Sequence, residues 1–563
     1  MRYSAIPMPD LKSKHEVIYI DRFLGCDFRT GSLLDNIRRS PDAVNMDFGE
    51  EMHTPVKRTG FTPVISRALD GRVNGFHQLE TDVGEYRLIH AGTKLYHLIG
   101  SEATVIYSDM ANAPSCSFVM DGKLYILDGR AYLVFDGGNV VKVSDHAYIP
   151  TTAIEGSAHE RPNRLTGLRR NIFYGNGNVR LFSLDVEWID NLAVYAYIDG
   201  VLTLEGTGLT VNRTAGSIEL TAAPRNGAVI DICFSKTDTA GMALINRCRY
   251  FTFESENNGT GVKFYGNPET PQAAYLSSPL NPEYFPDDGN TFVSEDHGCI
   301  APRSLCKLGD EQLFLARRGV CTAVAALFGD RRIIHNLSVF VNNLLTAETN
   351  LNDAISVIIK TKLYLFVNNS VYVADERLRQ SGRYGQYEWH RWTGVPATAA
   401  VTWGERLFFG TADGNVYRFM THKDDGNNIY HDDGAPVCAH WATPFLGTPV
   451  TGGGIWSRRK TVPASAAVVL QPFLRSGADI YAAAEDTGYS LIKSVSTSLL
   501  DFTDVDFSNF TFNCINRPRT ITIKNVARRF ESLQLLIKND RPEGLGLVAA
   551  EIRMIAGAEV KGE

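Results

Sequence analysis

No run in these 563 residues is apolar for long enough to span a bilayer. The start, Met1-Arg2-Tyr3-Ser4-Ala5-Ile6-Pro7-Met8-Pro9-Asp10, lacks the apolar core of a signal peptide, so synthesis and folding in a cytoplasm are expected. The nine cysteines, at 26, 116, 233, 248, 299, 306, 321, 438 and 514, include no Cys-x-x-Cys, which argues against a zinc ribbon or a redox pair. Most of them read as small buried apolar residues. No Gly-x-Ser-x-Gly elbow marks a hydrolase. Gly175-Asn176-Gly177 has neither a strand-to-helix setting nor a Walker lysine, so nucleotide binding is not indicated. The Ser-x-Asp-x-Gly-x-x-Trp boxes of sialidase-type propellers are missing too. A basic excess is also lacking: 56 Lys and Arg stand against 63 Asp and Glu, a net charge of −7 that argues against a protein coating nucleic acid.

What the chain does have is a repeated pattern of a small or polar residue, then Lys, Arg or Gln, then Leu and Tyr or Phe. It reads Gly92-Thr93-Lys94-Leu95-Tyr96, Gly122-Lys123-Leu124-Tyr125, Gly309-Asp310-Glu311-Gln312-Leu313-Phe314, Thr361-Lys362-Leu363-Tyr364 and Gly404-Glu405-Arg406-Leu407-Phe408, with a degenerate copy at Arg249-Tyr250-Phe251. Each copy is a turn running into a short apolar stretch such as Leu363-Tyr364-Leu365-Phe366-Val367, as expected of strands buried on both faces. Four-stranded sheets arranged around a centre produce that pattern, so the sequence predicts an all-β chain built on a β-propeller.

Residues 117–143 show the unit best. Lys123–Leu127, Asp128-Gly129, Ala131–Phe135, Asp136-Gly137-Gly138 and Val140–Val143 read as a three-stranded meander whose Asp-Gly is a two-residue hairpin turn. The copies step by 29, 126, 63, 50 and 44 residues, so about 80 surplus residues lie between 124 and 250. Leu192–Gly200, a strand ending in a hairpin turn at Asp199-Gly200, and Ser217–Thr221 and Ala228–Phe234 fill that surplus as strands, the last alternating as on a half-exposed sheet. The expected organisation is an N-terminal arm (1–65) whose strand closes the propeller onto Val416–Phe419, a first propeller part (66–164) and an inserted small β-sandwich (165–245). A second propeller part (246–422) and a C-terminal β-sandwich (436–563) complete it. Lys423–Gly434 reads as a linker, and Leu533–Lys538 with Ala549–Ile555 as paired final strands.

Few residues suggest chemistry. His431-Asp432-Asp433 with His440 resembles a loose metal cluster, but turn aspartates are commonplace and the spacing is not that of a metal site. Asp424-Asp425-Gly426-Asn427-Asn428 lacks the ligand ladder of a calcium loop. The pairs Arg38-Arg39, Arg169-Arg170, Arg317-Arg318, Arg331-Arg332, Arg458-Arg459 and Arg528-Arg529 are solvated edges or subunit contacts, and Trp389 and Trp392 are core or partner anchors. No catalytic, cofactor-binding or metal residue is assigned, and no cofactor or enzymatic activity is expected.

Three stretches carry a family resemblance. Asp21-Arg22-Phe23-Leu24-Gly25, Arg39-Ser40-Pro41-Asp42-Ala43-Val44-Asn45-Met46 and Lys57-Arg58-Thr59-Gly60-Phe61 resemble the start of virion proteins of tailed bacteriophages. So does Phe264-Tyr265-Gly266-Asn267-Pro268 followed by Ala274-Tyr275-Leu276-Ser277-Ser278-Pro279-Leu280-Asn281-Pro282-Glu283-Tyr284-Phe285-Pro286. Val194, Asp199-Gly200, Ile218, Ala223-Pro224, Gly227 and Ile230 resemble a small sandwich module of phage tail proteins. The resemblance implies a tail component similar to the nozzle (tail tubular) proteins of short-tailed phages. Its expected assembly is a sixfold ring below the head-tail adaptor, in contact with other tail proteins or fibres. Genomic DNA would pass through the lumen without sequence-specific binding. A receptor-binding or polysaccharide-degrading tail protein is the alternative. The location expected is the virion tail, assembled in the host cytoplasm.

Overall fold

A computed structural model describes residues 15–29, 36–256, 259–265, 273–276, 283–284, 298–325, 332–381, 385–422, 424, 429–447, 459–484, 487–499, 517–524, 526, 530 and 532–559. Over these the chain is all β, with helix confined to Thr239–Asn246, Asn342–Leu345 and a few single turns. Among the described residues no helix is long and apolar enough to cross a membrane. Two compact units divide the chain: Arg67–Phe292, and Met1–Ser66 with Val293–Glu563.

Four-stranded antiparallel meanders recur in both units. The first unit holds meanders over 73–107, 116–142 and 250–284, and the second holds those over 306–336 and 355–393. A further sheet in the second unit has three consecutive strands, Ala399–Trp403, Arg406–Gly410 and Val416–Phe419, and takes its next strand from far upstream. That strand is Phe61–Pro63, antiparallel to Val416–Phe419 with Phe61 opposite Phe419, which is the pairing the sequence led us to expect of the arm.

The repeated motif starts a strand each time, and its leucine is buried in all five copies: Leu95, Leu124, Leu313, Leu363 and Leu407. Four copies lie in the second strand of their sheet. The copy at 94–96 lies in the third strand of the 73–107 meander, which accounts for the short 29-residue step that follows it. Alternation is absent from these strands because both faces are covered. Leu363 and Leu365 pack in one core with Leu313 and Leu315 of the preceding meander. Tyr364 and Phe366 pack in another with Leu407 and Phe409 of the following sheet.

The turn at Asp128-Gly129 differs from expectation. Only Gly129 has positive φ, and the loop runs from 128 to 131. Asp128 is buried and its carboxylate accepts from the backbone N–H of Ala111 (2.9 Å), Arg130 (2.8 Å) and Ala131 (2.6 Å), an arrangement that a two-residue turn has no room for. Two-residue turns with both centres at positive φ occur instead at Asp121-Gly122 and Asp199-Gly200.

The insert consists of two facing sheets. One has six strands, in the order Ser157–Ala158, Thr151–Ile154, Leu168–Tyr174, Val229–Ser235, Tyr195–Ile198, Val201–Leu204. The other has three: Leu181–Ser183, Ser217–Leu220 and Leu209–Asn212. Phe173, Ala196, Ile230, Ile232 and Phe234 from the larger sheet share a core with Phe182, Leu209, Ile218 and Leu220 from the smaller. The larger sheet begins at Thr151, ahead of the expected 165, because Thr151–Ile154 joins in parallel. A parallel neighbour leaves no hairpin turn in the sequence to announce it.

Two more sheets face each other in the C-terminal region. One runs His15–Ile20, Leu547–Glu559, Arg459–Leu470, Arg519–Lys524. The other runs Ala43–Val44, Ala439–Ala442, Ser532–Asn539, Arg475–Ala484, Ser490–Ser498. The two final strands therefore do not pair, contrary to expectation. Each has its own apolar stripe, and Leu533, Leu535 and Ile537 meet Ile552 and Met554 across a shared core instead. The stretch read as a linker carries a strand as well: His431–Asp432 lies parallel to Phe61–Pro63 and turns through Asp433-Gly434 into Ala435–Pro436.

Candidate functional site

The arm carries the first of the stretches behind the phage resemblance, at 21–25, 39–46 and 57–61. Gly25 lies against the backbone of Trp389, where an added Cβ would sit 2.4 Å from its carbonyl oxygen, and Cys26 N–H donates to that oxygen at 2.6 Å. Gly60 is tighter still, since a Cβ there would sit 1.7 Å from the His431 carbonyl oxygen. Both motif glycines are thus places where two backbones cross, and no side chain fits.

Three cations are buried beside these crossings. Arg39 forms a two-pronged pair with Glu388 (2.6 and 3.0 Å) and lies 4.1 Å from the Phe340 ring centroid. Arg58 uses all five of its N–H donors: Nε on Asn45 Oδ1 (2.9 Å), Nη1 on Thr59 O (3.1 Å) and Asp432 Oδ1 (2.8 Å), Nη2 on Thr393 O (3.0 Å) and Asp432 Oδ2 (2.6 Å). Lys57 donates to Asn539 Oδ1 (2.9 Å) and the Arg541 carbonyl (2.7 Å), and burial draws its ammonium pKa down to about 7. These side chains tie the arm to segments more than 330 residues downstream, at 388–393, 432 and 539–541.

The residues with a metal-like look do not converge. Asp432 pairs with Arg58, His440 Nε2 is 3.0 Å from Asp42, and Asp433 accepts from the Tyr417 hydroxyl (3.1 Å). Among the described residues no three His, Cys, Asp or Glu come together as a metal site. Trp389 and Trp392 are both buried and donate through Nε1 to the carbonyls of Leu337 (3.0 Å) and Met46 (2.9 Å), so they are core residues and not partner anchors. Of the arginine pairs, Arg39 is a buried tie, Arg170 leans on Asp231 (3.6 Å), and Arg317 and Arg318 are exposed. Arg331, Arg458, Arg528, Arg529 and most of the 264–286 motif lie outside the described residues.

One constellation carries no signal in the sequence. Four side chains around the 73–107 and 116–142 meanders form a directed chain of hydrogen bonds. The His90 Nε2 to Gly92 O contact (3.1 Å) requires a proton on Nε2. His90 Nδ1 then accepts from the Ser115 hydroxyl (2.8 Å), Ser115 Oγ accepts from His77 Nε2 (3.0 Å), and His77 Nδ1 accepts from the Ser117 hydroxyl (2.8 Å). Both rings are neutral in this arrangement. Burial lowers the pKa of His77 to about 3 and of His90 to about 4, with the Asp128 carboxylate opposing the shift at His90. Ser115 resembles a base-activated nucleophile in its distance to His90. It is buried, however, and so close to Gly75 that a Cβ there would sit 2.6 Å from Oγ, which leaves no space for a substrate carbonyl. The cluster is a latch between two sheets.

The latch has a testable pH dependence. Histidines whose folded pKa lies below the unfolded value near 6.5 stabilise the fold above that pH, and this stability is lost progressively as pH falls toward 3. In urea titrations between pH 7 and pH 4, the double substitution His77→Gln, His90→Gln is expected to flatten the decline in stability relative to the unaltered chain. An unchanged slope would contradict the neutral pair.

No family model matches the sequence, and no curated protein does. Many solved structures align, three of them as follows, each at 10% identity. The computationally designed Ika8 protein matches over 64% of this chain and 99% of its own, with a TM-score of 0.25. Hydrazine synthase of Kuenenia stuttgartiensis matches over 64% and 98%, with a TM-score of 0.28. An extracellular domain from B. thetaiotaomicron matches over 87% and 63%, with a TM-score of 0.30. Likenesses this distant carry no inference about what the chain does.

Proposed function

We propose that this chain is a structural protein of a phage tail, a nozzle subunit that assembles into a ring and continues the DNA channel below the head-tail adaptor. The observation that carries the proposal is the use made of the motif residues behind the phage resemblance. Where they are described, they serve architecture: Gly25 and Gly60 are backbone crossings, Arg39 and Arg58 are buried ties, and Phe61 begins the strand against Val416–Phe419. The accompanying fold reading is a β-propeller with the repeated meanders as blades, the arm closing the last one, and the insert and C-terminal sheets as sandwiches available for docking other tail proteins or fibres.

Such a conduit works by geometry and weak repulsion. Head-to-tail contacts around an axis close into a cycle, and the phage-tail resemblance implies a ring of six. A lumen without a basic stripe lets DNA slide, since each neutralised phosphate adds affinity and slows passage. The net charge of −7 agrees with a wall of that kind. The full-length subunit is expected to bind duplex DNA weakly at low salt and not at all at moderate salt, measured by fluorescence anisotropy. Tight binding that persists in salt, or turnover of a polysaccharide, would favour the receptor-binding or depolymerising alternative.

A further inference from the structure

The larger sheet of the insert has a second apolar face. Its inner face is committed to the core, so the alternation of a two-layer fold calls for polar residues outside. The registers place others there. Leu202 lies opposite Tyr197, which lies opposite Asp231, itself opposite Ile172; Leu204, Tyr195, Cys233 and Arg170 form the next row; Val229 and Tyr174 begin a third. Tyr174, Tyr197, Leu202, Leu204 and Val229 are each 39–52% exposed. The face includes one charged couple, Arg170 and Asp231 at 3.6 Å, whose charges offset each other. Its edge strand, Val201–Leu204, has no ladder partner on its far side among the described residues and contains no Pro or Lys to discourage pairing.

Tyrosine and arginine are residue types enriched at protein interfaces, and the leucines and valine add apolar area around them. The absence of net charge on the face gives no hold to nucleic acid and no reason for a strongly basic or acidic partner. Size then narrows the occupant. Four strands are three spacings across and three same-face rows are two intervals deep, so the patch spans about 14 by 14 Å, or about 200 Å². A complex that stands alone buries about 800 Å² on each partner. A patch this small holds a partner only when other contacts hold it as well, and a closed homo-oligomer supplies such repetition. On the basis of the ring proposed above, we infer that the outer face formed by Tyr174, Tyr195, Tyr197, Leu202, Leu204 and Val229 packs against a neighbouring copy of this chain.

The test uses the full-length chain. Sedimentation velocity over a concentration series is compared for the unaltered protein, the double substitution Tyr197→Ser, Leu202→Ser, and the control Val83→Ser, which alters a hairpin-tip residue 90% exposed outside this face. The expected result is assembly of the unaltered and control chains, and a tenfold or greater rise in the concentration the double variant needs to assemble, with an unchanged melting transition. Leu204→Lys should reproduce the loss. Assembly of both face variants at the unaltered concentration overturns the inference and leaves the ring proposal standing. An unaltered chain that stays monomeric at all concentrations overturns both.

Discussion

A chain lacking residues 1–65 is expected to be recovered as aggregate, because the arm covers sheet edges in three places. His15–Ile20 flanks the long strand Leu547–Glu559, Ala43–Val44 flanks Ala439–Ala442, and Phe61–Pro63 flanks Val416–Phe419. Removing them bares unpaired N–H and C=O groups along all three, each a template for pairing with another chain. It also empties apolar positions. Ile20, Phe23, Phe48 and Phe61 are buried, and the Phe61 ring meets Phe409 and Tyr417 edge-on at 4.9 and 5.0 Å. Each aromatic loss of this kind costs about 3–5 kcal/mol, and several together exceed the few kcal/mol by which domains are ordinarily stable. Soluble yield and a urea transition followed by circular dichroism check this. A truncated chain that stays soluble and unfolds cooperatively would remove the arm from its structural role.

The largest effect from a single side chain is expected at Arg58. Its guanidinium is fully buried and each of its five N–H groups has an acceptor, so Arg58→Met takes a donor from two carbonyls and both from the Asp432 carboxylate, while Asn45 Oδ1 keeps the Thr393 N–H at 2.8 Å. Breaking a buried pair from one side costs about 3–5 kcal/mol. The Asp432 side chain is 19% exposed and can recover some hydration, so a loss of about 3 kcal/mol, the lower end of that range, is expected in urea titrations. Adding Asp432→Leu to Arg58→Met is expected to restore part of the loss, because no lone charge is then left behind. A single-variant loss below about 1 kcal/mol would mean that water replaces the arginine and the pair is no tie at all.

The local parts of this fold were legible in the sequence, and the distant parts were not. Every motif leucine is buried and every copy begins a strand, because turn chemistry and short apolar runs are properties of neighbouring residues. The hairpin at Asp199-Gly200 was legible for the same reason. Arg39 with Glu388 and Lys57 with Asn539, by contrast, are pairings across 349 and 482 residues that no window of sequence contains. His431-Asp432-Asp433 read as a linker with a metal-like look because Arg58, which determines the role of Asp432, lies 374 residues away. The His77, Ser115 and His90 latch was hidden too: serine and histidine scattered over adjacent strands leave no periodic trace. The outer face of the insert appeared only once register assigned its rows, since Tyr195 and Tyr197 alternate as any half-buried strand would.

The central claim, a ring that conducts DNA, is tested most directly by electron-microscopic symmetry determination on assembled particles that contain the full-length chain. The account predicts six copies around a single axis, enclosing a lumen lined by acidic or neutral side chains. A trimer placed at fibre tips, or a monomer with no axis at all, would contradict it.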